Sequence, residues 1–91
     1  MNPVRPLWFY IYVFKSEKTG IFYTGATGNL EERLEQHNKG QVFYTRNKLP
    51  IKLIYFEACL NKNDAYRREK YLKTGMRKRY IRNRLKEGLT G

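Results

Sequence analysis

One cysteine, one histidine and eight acidic residues are all that 91 positions hold of those types. The lone Cys59 excludes an internal disulfide and any cysteine-cluster zinc site. Its place at the end of an apolar run suits a small buried hydrophobe. No apolar stretch approaches the ~18 residues that span a bilayer, and the amino end has no charged n-region followed by an apolar h-region. A cytoplasmic protein with no membrane partner is therefore expected. No internal repeat, low-complexity tract or interdomain linker interrupts the chain, so one domain is expected over residues 1–91, with its core at about 8–87. The shortage of acid says most. Nineteen Lys and Arg leave a net charge of +11, which calls for a polyanionic partner, nucleic acid first. At 15% aromatic and 41% apolar residues, the chain is a folded domain rather than a disordered basic tail.

What is present begins with residues 8–14, seven consecutive apolar or aromatic positions with no polar face. That pattern predicts a strand with neighbours on both edges and covering layers on both faces, the centre of a small sheet. Residues 1–6, with two prolines, read as a loose lead-in. Lys18-Thr19-Gly20 supplies a turn, and residues 21–24 return as a second strand. A four-residue turn at 16–19 places Tyr12 directly across from Tyr23; a two-residue turn at Lys18-Thr19 places them on a diagonal, still on one face. Asn29 is an N-cap with Glu32 at capping-box spacing, opening a helix with Leu30 and Leu34 as its buried positions and a stop at 38–40. Residues 41–50 form a polar, basic loop containing Tyr44, Arg46 and Lys48. A third strand, 51–59, alternates Ile51, Leu53 and Tyr55 against Ile54, Phe56 and Ala58. Asn61 or Asn63 caps a helix running to about Thr74, ended by Gly75. A last helix runs from Met76 to about Glu87, with Met76, Tyr80, Ile81 and Leu85 as its apolar face.

Between Lys62 and Glu87 eleven basic residues stand against three acidic ones. The carboxyl-terminal helices, with Arg77, Lys78, Arg79, Arg82 and Arg84, are thus the expected nucleic-acid footprint, joined by Arg46 and Lys48 of the loop. Glu69 is placed oddly within it. Ala65, Glu69 and Leu72 follow i, i+4, i+7 spacing, which turns Glu69 toward the sheet. A carboxylate there requires an ion pair, with Arg33 or a neighbouring arginine, or a bound cation. On the first helix Arg33 and His37 lie four apart, on one stripe. Two tyrosines, an arginine, a histidine and an inward carboxylate can together serve a phosphodiesterase: phosphate grip, water activation, and a carboxylate able to hold Mg2+ or Mn2+.

The ordered set Tyr10-Ile11-Tyr12, ten residues, Tyr23-Thr24-Gly25, then Asn29-Leu30-x-x-Arg33-Leu34-x-x-His37-Asn38 resembles the GIY-YIG nuclease family. Tyr44-Thr45-Arg46, residues 50–57 and Ala65-x-x-Arg68-Glu69 look like its small stand-alone bacterial members. The resemblance covers roughly residues 8–73. It implies an α+β fold, a three-stranded antiparallel sheet with the first strand central and about three flanking helices. It further implies divalent-metal-dependent cleavage of DNA rather than RNA, with one Mg2+ or Mn2+ per site. On this resemblance one of Tyr12 and Tyr23 activates the attacking water and the other orients it or the phosphate. Arg33 steadies the scissile phosphate, Glu69 is the metal-binding carboxylate, and His37 stands near the phosphate.

Three positions depart from the family pattern. Tyr10 replaces the first-motif glycine, Thr24 replaces the second-motif isoleucine, and Ala26 stands where the repair-enzyme branch has a lysine. The first two are strand positions that preserve the fold; the third removes any scheme in which that lysine activates a tyrosine. Two other readings follow from the charge: a nucleic-acid-binding module that keeps the fold without catalysis, and an adaptor for acidic protein surfaces. A homodimer would let so small a nuclease cut both strands.

Overall fold

The structure, a computed structural model, describes residues 7–74 and 76–87, the side chains of 76–78 excepted. Ile11, Tyr12, Val13 and Phe14 lie almost wholly out of water, which a strand can achieve only with a neighbour along each edge and a layer over each face. The chain supplies all four. Strand β1 (Phe9–Ser16) is the middle of an antiparallel sheet of order β2-β1-β3, between β2 (Phe22–Thr27) and β3 (Ile51–Cys59). Helix α1 (Leu30–Asn38) covers one face, and α2 (Lys62–Leu72) with α3 (Met76–Arg84) covers the other. The fold is the expected α+β one.

Alternation along β1 divides the core in two. Ile11 and Val13 pack with Phe22, Ala65, Leu72 and Ile81 under α2 and α3. Tyr12 and Phe14 pack with Ile51, Leu30 and Leu34 under α1. Each large apolar side chain so buried contributes about 1.5–3 kcal/mol.

The β1–β2 connection sets the tyrosine geometry. The Ser16 N–H donates to the Ile21 carbonyl at 2.9 Å, and Gly20 takes φ +75, which glycine adopts without a Cβ penalty. Lys15 therefore pairs with Phe22, Tyr23 stands opposite Phe14, and Tyr12 stands opposite Gly25. The direct Tyr12–Tyr23 pairing of a 16–19 turn is not formed; the diagonal register is, with both rings on the α1 face.

In β3 the expected alternation fails. Val13 pairs with Tyr55 but Phe14 with Leu53, so Ile54 is an extra residue, a β-bulge. Beyond it the faces exchange. Leu53 shares a face with Phe56, while Tyr55 and Glu57 turn toward α2, with Ile54 and Tyr55 both joining that core. The expected grouping of Ile51, Leu53 and Tyr55 on one face is overturned by that residue.

The helix starts are close to expectation. Asn29 Oδ1 accepts the Glu32 N–H at 3.1 Å. The reciprocal half of the capping box is replaced: the Asn29 N–H donates to Thr27 Oγ1, and the Glu32 carboxylate accepts from Gln36. Leu30 and Leu34 are only half-buried, and the buried residue of α1 is His37. Asn61, not Asn63, caps α2, accepting from the Asn63 and Asp64 N–H groups. Helix α2 ends at Leu72 and α3 at Arg84, each short of its expected end. Ile81 is buried in α3, with Tyr80 and Leu85 packed beside it. The lead-in 1–6, Gly75 and the Met76 side chain fall outside the described residues. Among the described residues no helix is long and apolar enough to cross a membrane.

Candidate active site

Among the described residues, strand β2 has a hydrogen-bonded neighbour on one side only. Round its other edge runs a cleft of about 630 Å3, lined from both layers. Phe22 and Tyr23, neighbours that point to opposite faces of the strand, both border it. Tyr12, Arg33 and His37 enter from the α1 side, and Tyr66, Glu69 and Lys73 enter from α2.

Tyr12 is positioned by what surrounds it. Its ring stacks on Phe14 at 4.3 Å between centroids, and its oxygen accepts a hydrogen bond from Arg33 Nε at 3.1 Å. The phenol lies across the backbone of Gly25, where an added Cβ would fall inside it. The glycine of Tyr23-Thr24-Gly25 is thus required by close approach rather than by a turn. Arg33 also donates to Gln36 Oε1 at 3.3 Å. Of a guanidinium's five N–H donors, the others have no protein partner among the described residues.

His37 is buried beside these groups, its ring edge-on to Phe14 at 4.9 Å and to Tyr12 at 6.3 Å. Its Nδ1 shares a 2.7 Å hydrogen bond with Thr45 Oγ1, so the 40–50 loop is fastened to the site. Burial first, and the Arg33 charge second, hold its pKa down to about 4; at neutral pH it is an uncharged imidazole. Its other nitrogen, Nε2, is buried without a partner, and so is Thr24 Oγ1 on the cleft wall. Buried polar atoms without partners are rare, because each carries a desolvation cost.

Glu69 is 17% exposed and pairs through Oε1 with Lys73 at 2.7 Å, one turn along the same helix. The expected ion pair with Arg33 or a neighbouring arginine is not formed: Arg33 enters the cleft from the α1 side, where it bonds to Tyr12 and Gln36, while Glu69 enters from α2. Glu69 Oε2 has no partner among the described residues. One carboxylate with a spare oxygen at a polar cleft fits a hard divalent cation that keeps most of its water and takes its remaining ligands from a phosphate. Among the described residues no three His, Cys, Asp or Glu side chains form a metal cage.

Tyr12, Tyr23, Arg33, His37 and Glu69 therefore meet at one cleft. The basic residues do not. Arg46 stacks on Phe43 at 4.7 Å, Lys48 uses its carbonyl to accept from Ser16, and neither borders the cleft. Arg82 lies over Phe22 and Arg84 over Tyr80, each at 5.7 Å. Arg79 is exposed. The side chains of Arg77 and Lys78 lie outside the described residues. Sequence reasoning gave no site role to Thr24, Thr45, Tyr66 or Lys73. For Lys73 a signal was present, the i, i+4 spacing from Glu69; for Thr45 it was its place in the Tyr44-Thr45-Arg46 segment of the resemblance.

A second polar cluster sits on the α2 face beyond the bulge. Arg68 grips Glu57 through two 2.9 Å hydrogen bonds. The Tyr55 hydroxyl donates to Glu57 at 2.6 Å, and Tyr80 lies 3.3 Å from Tyr55. Burial pushes the Glu57 carboxyl up, but Arg68, Tyr55 and the Arg84 charge outweigh it, so it titrates below the usual range. The Tyr55 phenol is pushed well up by burial and by its bonds to Glu57 and Tyr80.

Comparison with known proteins adds four matches. The GIY-YIG catalytic domain pattern matches residues 8–87. A UPF0213 protein of Bacillus licheniformis is 43% identical over 84 residues, covering 88% of this chain and 86% of its own, and one of Clostridium perfringens is 46% identical over 65 residues, covering 70% and 69%. The solution NMR structure of a UPF0213 protein of Bacillus halodurans superimposes with a TM-score of 0.54 at 31% identity, over 89% of this chain and 87% of that one. With that match spanning the sheet, the helices and the cleft, the chain belongs to the GIY-YIG domain family.

Proposed function

We propose that the cleft hydrolyses phosphodiester bonds in DNA, as a divalent-metal-dependent endonuclease. The observation that carries this reading is the meeting of two phenols, an arginine with open donors and a half-paired carboxylate round one strand edge, beside two orphaned buried polar atoms. The family, named for a catalytic domain, supports nuclease chemistry.

Each residue has a task that its surroundings suit. Arg33, held by Tyr12 and Gln36, presents its remaining N–H groups to phosphoryl oxygens, where a planar fork binds well. One of Tyr12 and Tyr23, as its phenolate, takes the proton of the attacking water and is left as the neutral phenol, while the other orients that water or the phosphate. Neutral His37, fixed through Thr45, stands edge-on to the Tyr12 ring and adds no charge beside the phosphate. Glu69 would hold the cation through its carboxylate, whose second oxygen has no protein partner among the described residues. When bound, that cation supplies positive charge to the phosphoryl oxygen and the leaving oxygen. The net charge of +11 draws the polyanion in, and the basic side chains outside the cleft extend the contact.

The test is titration of Mg2+ and Mn2+ into wild type and Glu69→Gln with plasmid and branched DNA. The reading requires metal-dependent cleavage that drops by at least about 100-fold in Glu69→Gln, with DNA binding retained. Cleavage at the wild-type rate by the variant contradicts it. Binding without cleavage under every condition favours the binding module, for which the exposed arginines of α3 are the supporting observation.

A further inference from the structure

The 40–50 loop carries two large aromatic side chains that the fold does not use. Tyr44 is 80% exposed and Phe43 71%, yet they are not loosely presented. Thr45, the next residue, is buried and hydrogen-bonded to His37. The Thr45 and Arg46 N–H groups both donate to the Val42 carbonyl, and the Lys48 N–H donates to Thr45. Phe43 meets the Tyr44 ring edge-on at 5.9 Å, and the Arg46 guanidinium lies over the Phe43 face at 4.7 Å. Tyr44 borders the same cleft as Arg33 and Glu69; Phe43 stands behind it.

An exposed aromatic on a fastened loop at the mouth of a cationic cleft has a definite use. Every nucleobase has a π-face, and stacking on an aromatic side chain is strong and tolerant of sequence. Within a continuous duplex those faces are covered by neighbouring base pairs. We infer that Tyr44, braced by Phe43 and Arg46, stacks on an unpaired base next to the scissile phosphate, so that the substrate class is DNA with single-stranded or extrahelical nucleotides rather than intact duplex. The inference rests on the phosphodiesterase reading of the cleft and narrows it.

The test compares binding, in EDTA so that nothing is cut, of one sequence as intact duplex, as duplex with a bulged 2-aminopurine, and as single strand carrying that fluorophore. Wild type is expected to favour the unpaired forms by roughly 5- to 100-fold and to quench the fluorophore by stacking. Tyr44→Ala should lose both effects while keeping its duplex affinity and salt dependence, because no charge is removed; Tyr44→Phe should retain both. Circular dichroism confirms that the variants fold. Equal wild-type affinity for all three forms, or a preference that survives Tyr44→Ala, overturns the inference while leaving the nuclease reading intact. Wild type that binds no form at all defeats both.

Discussion

Arg68 and Glu69 are adjacent on α2, and they serve two unlike polar regions. Arg68 turns to the cluster beyond the bulge, where Glu57 receives three hydrogen bonds and Tyr55 and Tyr80 complete the set. Glu69 turns to the cleft, where it is half-paired, Arg33 keeps open donors, and His37 Nε2 and Thr24 Oγ1 are buried without partners. The first region spends most of its polar groups on one another and ties β3 to α2. The second keeps one Glu69 oxygen and several Arg33 N–H groups without a protein partner at the cleft, where a ligand can take them up. Mutations should therefore separate the two: the satisfied cluster governs stability and the unsatisfied cleft governs chemistry.

The largest expected effect is on the cleft. Gly25→Ala inserts a methyl where the Tyr12 phenol lies, and displacement of that ring should lower single-turnover cleavage by about 100-fold. A variant that cleaves normally would show that Tyr12 need not sit there. Next comes the satisfied cluster. Arg68→Met takes two of the three hydrogen bonds from Glu57, and should cost about 1–3 kcal/mol in chemical denaturation, since the pair is partly solvated. If stability holds and only cleavage falls, the division between the regions is wrong.

A subtler separation comes from pH. The unfolded chain takes up a proton on His37 near 6.5, which the folded chain refuses until about 4. The His37 contribution to stability is thus complete above about pH 6.5 and is lost progressively as the pH falls toward 4. His37→Gln should flatten that slope in urea titrations between pH 7 and 4; an unchanged slope would place the acid sensitivity elsewhere. Smallest is the outer surface. Neutralising Arg82 and Arg84 together should weaken DNA binding modestly and make log K against log salt shallower by about 2. No change in slope removes those arginines from the footprint.

The fold was legible because the burial of β1 is written into its composition: seven positions without a polar face leave only the centre of a sheet. The five cleft residues were legible through the resemblance of their ordered motifs to the GIY-YIG nuclease family; spacing alone left each tyrosine and the histidine readable as packing. What stayed hidden depends on single-residue events. The bulge at Ile54 adds one residue to β3 and exchanges its faces, and it alone brings Glu57 to Arg68. Strand periodicity has no symbol for that insertion. The partner of Glu69 was misjudged because spacing showed the inward turn of the carboxylate but not that Arg33 would stand on the α1 side of the sheet and Lys73 one turn along α2. The hold of Thr45 on His37 links two residues through an aperiodic loop and leaves no periodicity to read.

The central claim is that residues from both layers, Tyr12 beneath α1 and Glu69 on α2, form one catalytic unit round the β2 edge. It is tested most directly by single-turnover cleavage rates for wild type, Tyr12→Phe, Glu69→Gln and the double variant on one DNA substrate with Mg2+. Members of one unit are strongly non-additive, so the double variant should be about as slow as the slower single variant. Rate losses that simply multiply, or a Tyr12→Phe variant that cleaves like wild type, would contradict a shared site.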